Sequence, residues 1–344
     1  MREVAYCYQV LRDGVPYAEL EATGAPTVRF QSGSVITRSF SGMLRKPLAQ
    51  INWFTDRLRP QMWLDGAWQN LGVFVVSSVV ENYENGASWL SIEAMDRALL
   101  VKQVSTEGLL HLSAGSRYIE VVKQLLMEAG ITSVLADENA DVLATDREDW
   151  NEGTSYITII NALLGEIAFD PLWFDADGIA RLTRYTEPSA ENIGHVYRSD
   201  EHSVIAGKCS VTQDIYSPVN VFKVIVSNAD LAEPMTAVSV NDSATSPIST
   251  VSLGRRILAP IVRLDNIASQ EALQDYADRL RFQSQLADEK TTFTTANMPD
   301  HGYMDIVALE HERLSGVYQE TDWTMTLSHS GQMTHKAKRM LYIY

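Results

Sequence analysis

The chain has 344 residues, 45% hydrophobic and 21% charged, an ordinary balance for a folded protein of roughly two to three domains. A net charge of −16 argues against capture of nucleic acid, which needs clustered Lys and Arg, but suits a surface past which a polyanion must slide. No apolar run reaches membrane-spanning length, MREVAYCYQVLRDG carries no secretion signal, and Cys7 and Cys209 match no metal spacing and read as reduced thiols, so folding in a cytoplasm is expected.

Residues 1–104 read as all-β. Thr27 to Phe40 is rich in β-formers, and Asp65-Gly66 and Asn85-Gly86 supply the positive φ angles of tight hairpin turns between strand-like runs. Trp53, Trp63, Trp68 and Trp89 fall here, and strand tryptophans usually pack. The stretch LGVFVVSSVVENYENGASWLSIEAMDRAL has one unusual arm. Leu71, Val73 and Val75 point one way, Phe74 and Val76 the other, so both faces are apolar and both need cover.

Residues 105–187 change period. From Ser116, Ile119, Val122 and Met127, with Leu125 and Leu126, form a helical stripe that Gly130 stops. An acidic stretch follows, and a second helix is expected from Thr154 to about Ala168, with Ile157, Ile160, Leu163, Leu164 and Ile167 on its apolar side. A hairpin built on Asp175, Asp177 and Gly178 completes a compact α/β unit.

From residue 188 the pattern returns to β. SPVNVFKVIVSN is again apolar on both faces, through Val219, Val221 and Ile225 on one and Phe222, Val224 and Val226 on the other. A polar loop, VNDSATSPISTVSLGRR, precedes a helix over 269–288 with Ser269 as N-cap and Leu273, Tyr276, Ala277 and Leu280 on one side. The end reads as two strands around Ser330-Gly331.

Catalytic and metal motifs are sparse. Glu310-His311-Glu312 lacks the second histidine of a zinc helix, and the other histidines are dispersed. Asp175, Asp177 and Gly178 share the opening of a calcium loop, but Thr183 stands where its glutamate would be, and a tight turn is the better reading. Asp137, Glu138, Asp141, Asp146, Glu148 and Asp149 read as a solvated loop rather than a cation site. No phosphate cradle, dinucleotide fingerprint or serine elbow is present, so neither catalytic residues nor a cofactor are expected and the chain reads as a structural part.

The Leu71–Leu100 stretch, the helix–helix–hairpin unit ending FDADGIARL, the SPVNVFKVIV strand, the SQEALQDYADRL helix and the terminal DWTMTLSHSGQMTH together resemble the baseplate hub proteins of bacteriophage tails, including the hub module of tail-associated proteins and of type VI secretion spike proteins. That resemblance implies an α+β chain of two small tube-like β-barrels, 1–104 and 188–344, around the α/β domain 105–187, with an accessory C-terminal β segment. It implies a homotrimer whose six barrel positions continue a sixfold tail tube above a threefold tip and let DNA pass without binding it. The implied partners are a distal tail or tube-initiating protein, a tape-measure protein, and a spike or tail-fibre complex, in a virion tail tip assembled in the host cytoplasm. It also makes Phe74, Val76, Phe222 and Val224 candidate contacts between neighbouring barrels, the alternative being that helices of the same chain cover those strands. A cell-wall hydrolase and a glycan-binding adhesin, the latter using Trp63, Trp68 and Trp89, are the competing functions.

Overall fold

The computed structural model describes residues 4–84, 86–200, 203–213, 218–227, 234–285, 289–311 and 314–340. Asn85 and Glu312 therefore lie outside the described residues. The fold is predominantly β, and among the described residues fourteen strands share one sheet. Its hydrogen-bonded path runs from Ile205–Gln213 through Glu289–Ala296, Gln332–Arg339, Leu314–Thr326, Thr27–Gln31, Arg38–Arg45, Ala87–Asp96, Phe74–Glu84, Arg57–Leu64 and Ala5–Arg12 to Val15–Leu20. Ile306–His311 branches from Leu314–Thr326, Ile193–Arg198 pairs with Ile306–His311, and Ala67–Asn70 branches from Arg57–Leu64.

The two β blocks are thus joined in one hydrogen-bonded sheet, and no closed barrel is found among the described residues. The joint is Leu314–Thr326, a strand long enough to serve both blocks. Its first part pairs with Ile306–His311, and its last five residues pair with Thr27–Gln31, Asp322 opposite Gln31 and Thr326 opposite Thr27. Burial drives this join: Trp323 stacks on Phe30 at 5.8 Å, and Trp323 and Met325 lie in the same core cluster as Val28, Phe40 and Phe74.

The doubly apolar arm of the first block has a local explanation. The strand begins at Phe74, and the register slips between Val76 and Ser78, opposite Ala94 and Glu93. Ser77 is the extra residue of a β-bulge, which resets the side-chain phase so that Phe74, Val76 and then Val79 all pack on the same core. The other face is met by the chain's own α/β unit. Asn70 donates to Asp177, Arg97 donates to the Gly178 carbonyl at 3.0 Å, and a Cβ on Gly178 would lie 2.7 Å from the Val73 side chain.

That unit has its own core, from Ala98 and Val101 through the helices Tyr118–Glu128 and Tyr156–Glu166 to Phe174, Ala180 and Leu182. Leu125 and Leu126 face inward as expected, whereas Met127 is 62% exposed. Gly130 follows the first helix at φ +79°. The Trp173–Phe174 and Ala180–Leu182 hairpin gains a parallel third strand, Val134–Ala136, that the acidic surroundings concealed. Asp175 caps the turn, accepting from the Asp177 and Ile179 amides and pairing with Arg181.

The second doubly apolar strand, Val221–Val226, is not part of the large sheet. It centres a three-stranded sheet between Met235–Val240 and Val262–Leu264, and the helix Gln270–Gln285 closes Leu273 and Ala277 over Val224, Val226 and Ala237. Ser269 Oγ accepts from the Ala272 amide, as an N-cap does. The polar loop before that helix folds around Asn220, whose amide side chain bonds the Ile248 and Arg255 carbonyls and the Ile257 amide, and it carries the short helix Thr250–Leu253. Cys7 and Cys209 are free thiols.

Candidate functional site

The densest chemistry-bearing cluster gathers three histidines that are far apart in sequence. Strand alternation places His195 and Tyr197, two residues apart on Ile193–Arg198, toward the same side. Glu320 comes from the long joining strand at an irregularity between Glu320 and Asp322. His335 lies on Gln332–Arg339 directly opposite Phe293 and stacks on it at 4.5 Å. His301 and Asp305 come from the connection between Glu289–Ala296 and Ile306–His311.

The Glu320 carboxylate is shared. Its Oε2 lies 2.6 Å from His301 Nδ1 and its Oε1 lies 2.5 Å from His335 Nδ1, with the His301 and His335 side chains fully buried and Glu320 nearly so. An ionised carboxylate only accepts, so both Nδ1 atoms carry protons. His301 Nε2 lies 2.5 Å from the Tyr197 hydroxyl, and His335 Nε2 sits 2.8 Å from Thr295 Oγ1. His195 stacks face to face on His301 with centroids 4.0 Å apart. It turns Nε2 toward Asp305 (3.6 Å) and Nδ1 toward Asp300 (3.9 Å).

Burial alone would raise the Glu320 carboxyl. The two histidine hydrogen bonds outweigh that and hold it below the ordinary carboxylate range. Burial pushes His335 down and the Tyr197 phenol up, whereas the Asp305 carboxylate raises the half-buried His195. The cluster lies beside the first β block and beside the α/β unit. Arg38 of the first β block donates to the His301 carbonyl at 3.4 Å, Asn297 donates to Tyr6, and Asp305 lines a 220 Å³ cavity with Asp170, Tyr185 and Arg279.

The residues singled out from sequence lie elsewhere. Phe74 is fully buried near Phe40, at 6.1 Å, and Val76 is half-buried on the same core. Phe222 and Val224 are 5% and 0% exposed. Trp68 is 45% exposed and packs edge-on against a half-buried Trp63, and Trp89 is half-buried. Glu310 pairs with Arg198 at 2.8 Å. The acidic residues of the α/β unit bond to their own surroundings: Asp137 accepts from the Arg184 amide, Asp146 from the Ala114 amide, and Asp149 pairs with Arg147. The sequence signals for the histidine cluster were weak. They amount to His-x-Tyr inside an apolar strand and two aspartates flanking His301.

No protein-family model and no curated protein matches the sequence. Solved structures match it over nearly its whole length. A tail protein from Neisseria meningitidis is 16% identical, with 98% of this chain and 97% of that one covered and a TM-score of 0.67. The 43 kDa tail protein of prophage MuSo2 from Shewanella oneidensis is 12% identical, with 97% and 98% covered and a TM-score of 0.66. An Escherichia coli component of the type VI secretion system, described as similar to the phage T4 tail proteins gp27 and gp5, is 11% identical, with 98% and 78% covered and a TM-score of 0.50. The chain has the fold of these phage tail proteins and of the type VI secretion component.

Proposed function

We propose that the protein is a structural component of a phage or phage-like tail tip, the hub that continues the tail tube. The observation that carries this reading is the end-to-end likeness to tail proteins, spanning 98% of this chain and 97% of the Neisseria protein. On this reading the chain is a homotrimer, each copy contributing two barrel-like blocks to a ring of six positions. The first block is supported as barrel-like by hydrogen bonds beyond the sheet path: Arg45 N–H to the Glu21 carbonyl at 2.7 Å and Thr23 N–H to the Met43 carbonyl at 2.9 Å draw the end of the Val15–Leu20 strand against Arg38–Arg45. The ring links a tube-initiating protein above to a spike or fibre complex below, with a tape-measure protein and then DNA passing through a lumen that its acidic charge keeps from binding DNA.

Contacts between copies need side chains that are still free in one copy. Of the four candidate contact residues, Val76 alone is more than marginally exposed. Leu48 and Phe54 stand out on the adjoining loop at 106% and 92% exposure, beside Ile51 and Trp53, which pack on the first core. The test is the mass in solution and the image of the particle. We expect three times the 38.4 kDa chain mass, or a ring formed with a tube partner, with a central hole. Leu48→Asp with Phe54→Asp should leave a folded chain that no longer assembles. A compact monomer that releases fragments from purified peptidoglycan would overturn the reading in favour of a hydrolase.

A further inference from the structure

We propose that His195, His301 and Asp305 bind one divalent transition-metal ion of the zinc class, with Glu320 orienting His301. One ligand atom from each of the three residues lies within 4.8 Å of the other two. His195 Nε2 and Asp305 Oδ2 are 3.6 Å apart. That is too long for a hydrogen bond, and near the roughly 3.4 Å edge of a tetrahedron whose bonds to zinc are about 2.1 Å.

The surroundings are those a metal-binding histidine needs. His301 turns its Nδ1 to Glu320 at 2.6 Å, which leaves its Nε2 as the donor nitrogen, and His195 presents Nε2 on the side of Asp305. The Tyr197 hydroxyl, 2.5 Å from His301 Nε2, is too close to share the ion with that nitrogen and must turn aside as the ion binds. Asp305 is held in place by the Gly302 amide at 2.6 Å. Asp305 and His195 keep 26% and 13% of their side chains exposed, and Asp305 lines the 220 Å³ cavity, so an entry path exists.

The neighbouring set His301, Glu320 and His335 is not the site. Its nitrogens lie 2.5–2.6 Å from the carboxylate, closer than the roughly 3 Å or more that two ligands of one ion keep. The ion belongs on the outer side of His301. The stacked His195 ring must turn from its near-parallel 10° arrangement to aim Nε2 at it. Two imidazoles with oxygen donors suit zinc or cobalt rather than calcium or magnesium.

The full chain, stripped with chelator and dialysed against zinc, should retain one zinc per chain by elemental analysis. It should give a tetrahedral visible spectrum with cobalt. His195→Ala and the near-isosteric Asp305→Asn should each weaken zinc binding at least about tenfold while circular dichroism stays unchanged, and His111→Ala, on the α/β unit, should bind like the parent. No retained zinc in the parent chain, or equal retention in His195→Ala and Asp305→Asn, overturns the proposal whether or not the chain assembles into a ring.

Discussion

Phe74→Ala separates a side chain that holds one copy together from one that joins two copies. Phe74 is fully buried, sits opposite Leu58 and Asp96 in the strands on either side, and packs so closely over Gly72 that a Cβ there would lie 2.6 Å from its ring. The frame around it is hydrogen-bonded sheet, which cannot collapse into the space a ring leaves. The loss should therefore fall in the upper half of the usual range for Phe→Ala in a core, about 4–5 kcal/mol. For a first unfolding transition with a urea slope of about 1–3 kcal/mol/M, the midpoint falls by more than about 1 M. The assay is urea unfolding followed by tryptophan emission, with sedimentation of the same variant. An unchanged midpoint accompanied by loss of assembly would refute the reasoning and make Phe74 a contact between copies.

Two further outcomes follow from single residues. Asp56, with its side chain 1% exposed, accepts from Arg12 at 2.7 and 3.0 Å and from the Asn52 amide, and the Arg12 guanidinium holds its carboxyl below the ordinary 3.8. A depressed carboxyl stabilises the fold fully above its unfolded value and loses that as pH falls through the folded one. Asp56→Asn should therefore cost about 2 kcal/mol at pH 7, with a gap to the parent that narrows below pH 3.8 in thermal melts. Gly178→Ala places a methyl at φ +75° and 2.7 Å from Val73. It should cost about 1–3 kcal/mol and speed amide exchange around Val73 and Arg97, where the α/β unit meets the sheet; unchanged exchange there would refute that contact.

Local structure was legible where one residue decides it. Ser269 as a cap, Gly130 as a stop and Asp175 with Gly178 as a turn all follow from side-chain chemistry within a few positions of the chain. Phase and partnership were not legible. Ser77 is unremarkable in sequence, yet as a bulge it brings Val79 onto the same core as Phe74 and Val76, while Val73 on the other face meets the α/β unit. Val221–Val226 reads like a tube strand because a strand under a helix and a strand in a barrel carry the same apolar residues; only the helix bearing Leu273 and Ala277 distinguishes them. The histidine cluster was hidden more deeply, because its members are separated by up to 140 positions and meet only through the pairing of four strands.

The sheet tolerates the 218–285 unit for a reason visible in its register, and this gives a prediction about the whole architecture. Gln213 and Glu289 are directly opposed on adjacent antiparallel strands, so the chain leaves the sheet and returns at neighbouring points. An insertion with adjacent ends leaves the pairing of its host strands unstrained. Joining Gln213 to Glu289 through an Asn-Gly turn should then leave the sheet folded, since a two-residue loop closes such a pair. The deletion removes Arg279, which donates to the Phe169 carbonyl at 3.1 Å and to Asp170 at 2.9 Å, so the α/β unit should melt earlier while the core around Trp323 and Phe30 keeps its near-ultraviolet dichroism. Loss of that dichroism would mean that the three-stranded sheet and its helix hold the large sheet together, and that the chain is not a sheet with an inserted unit.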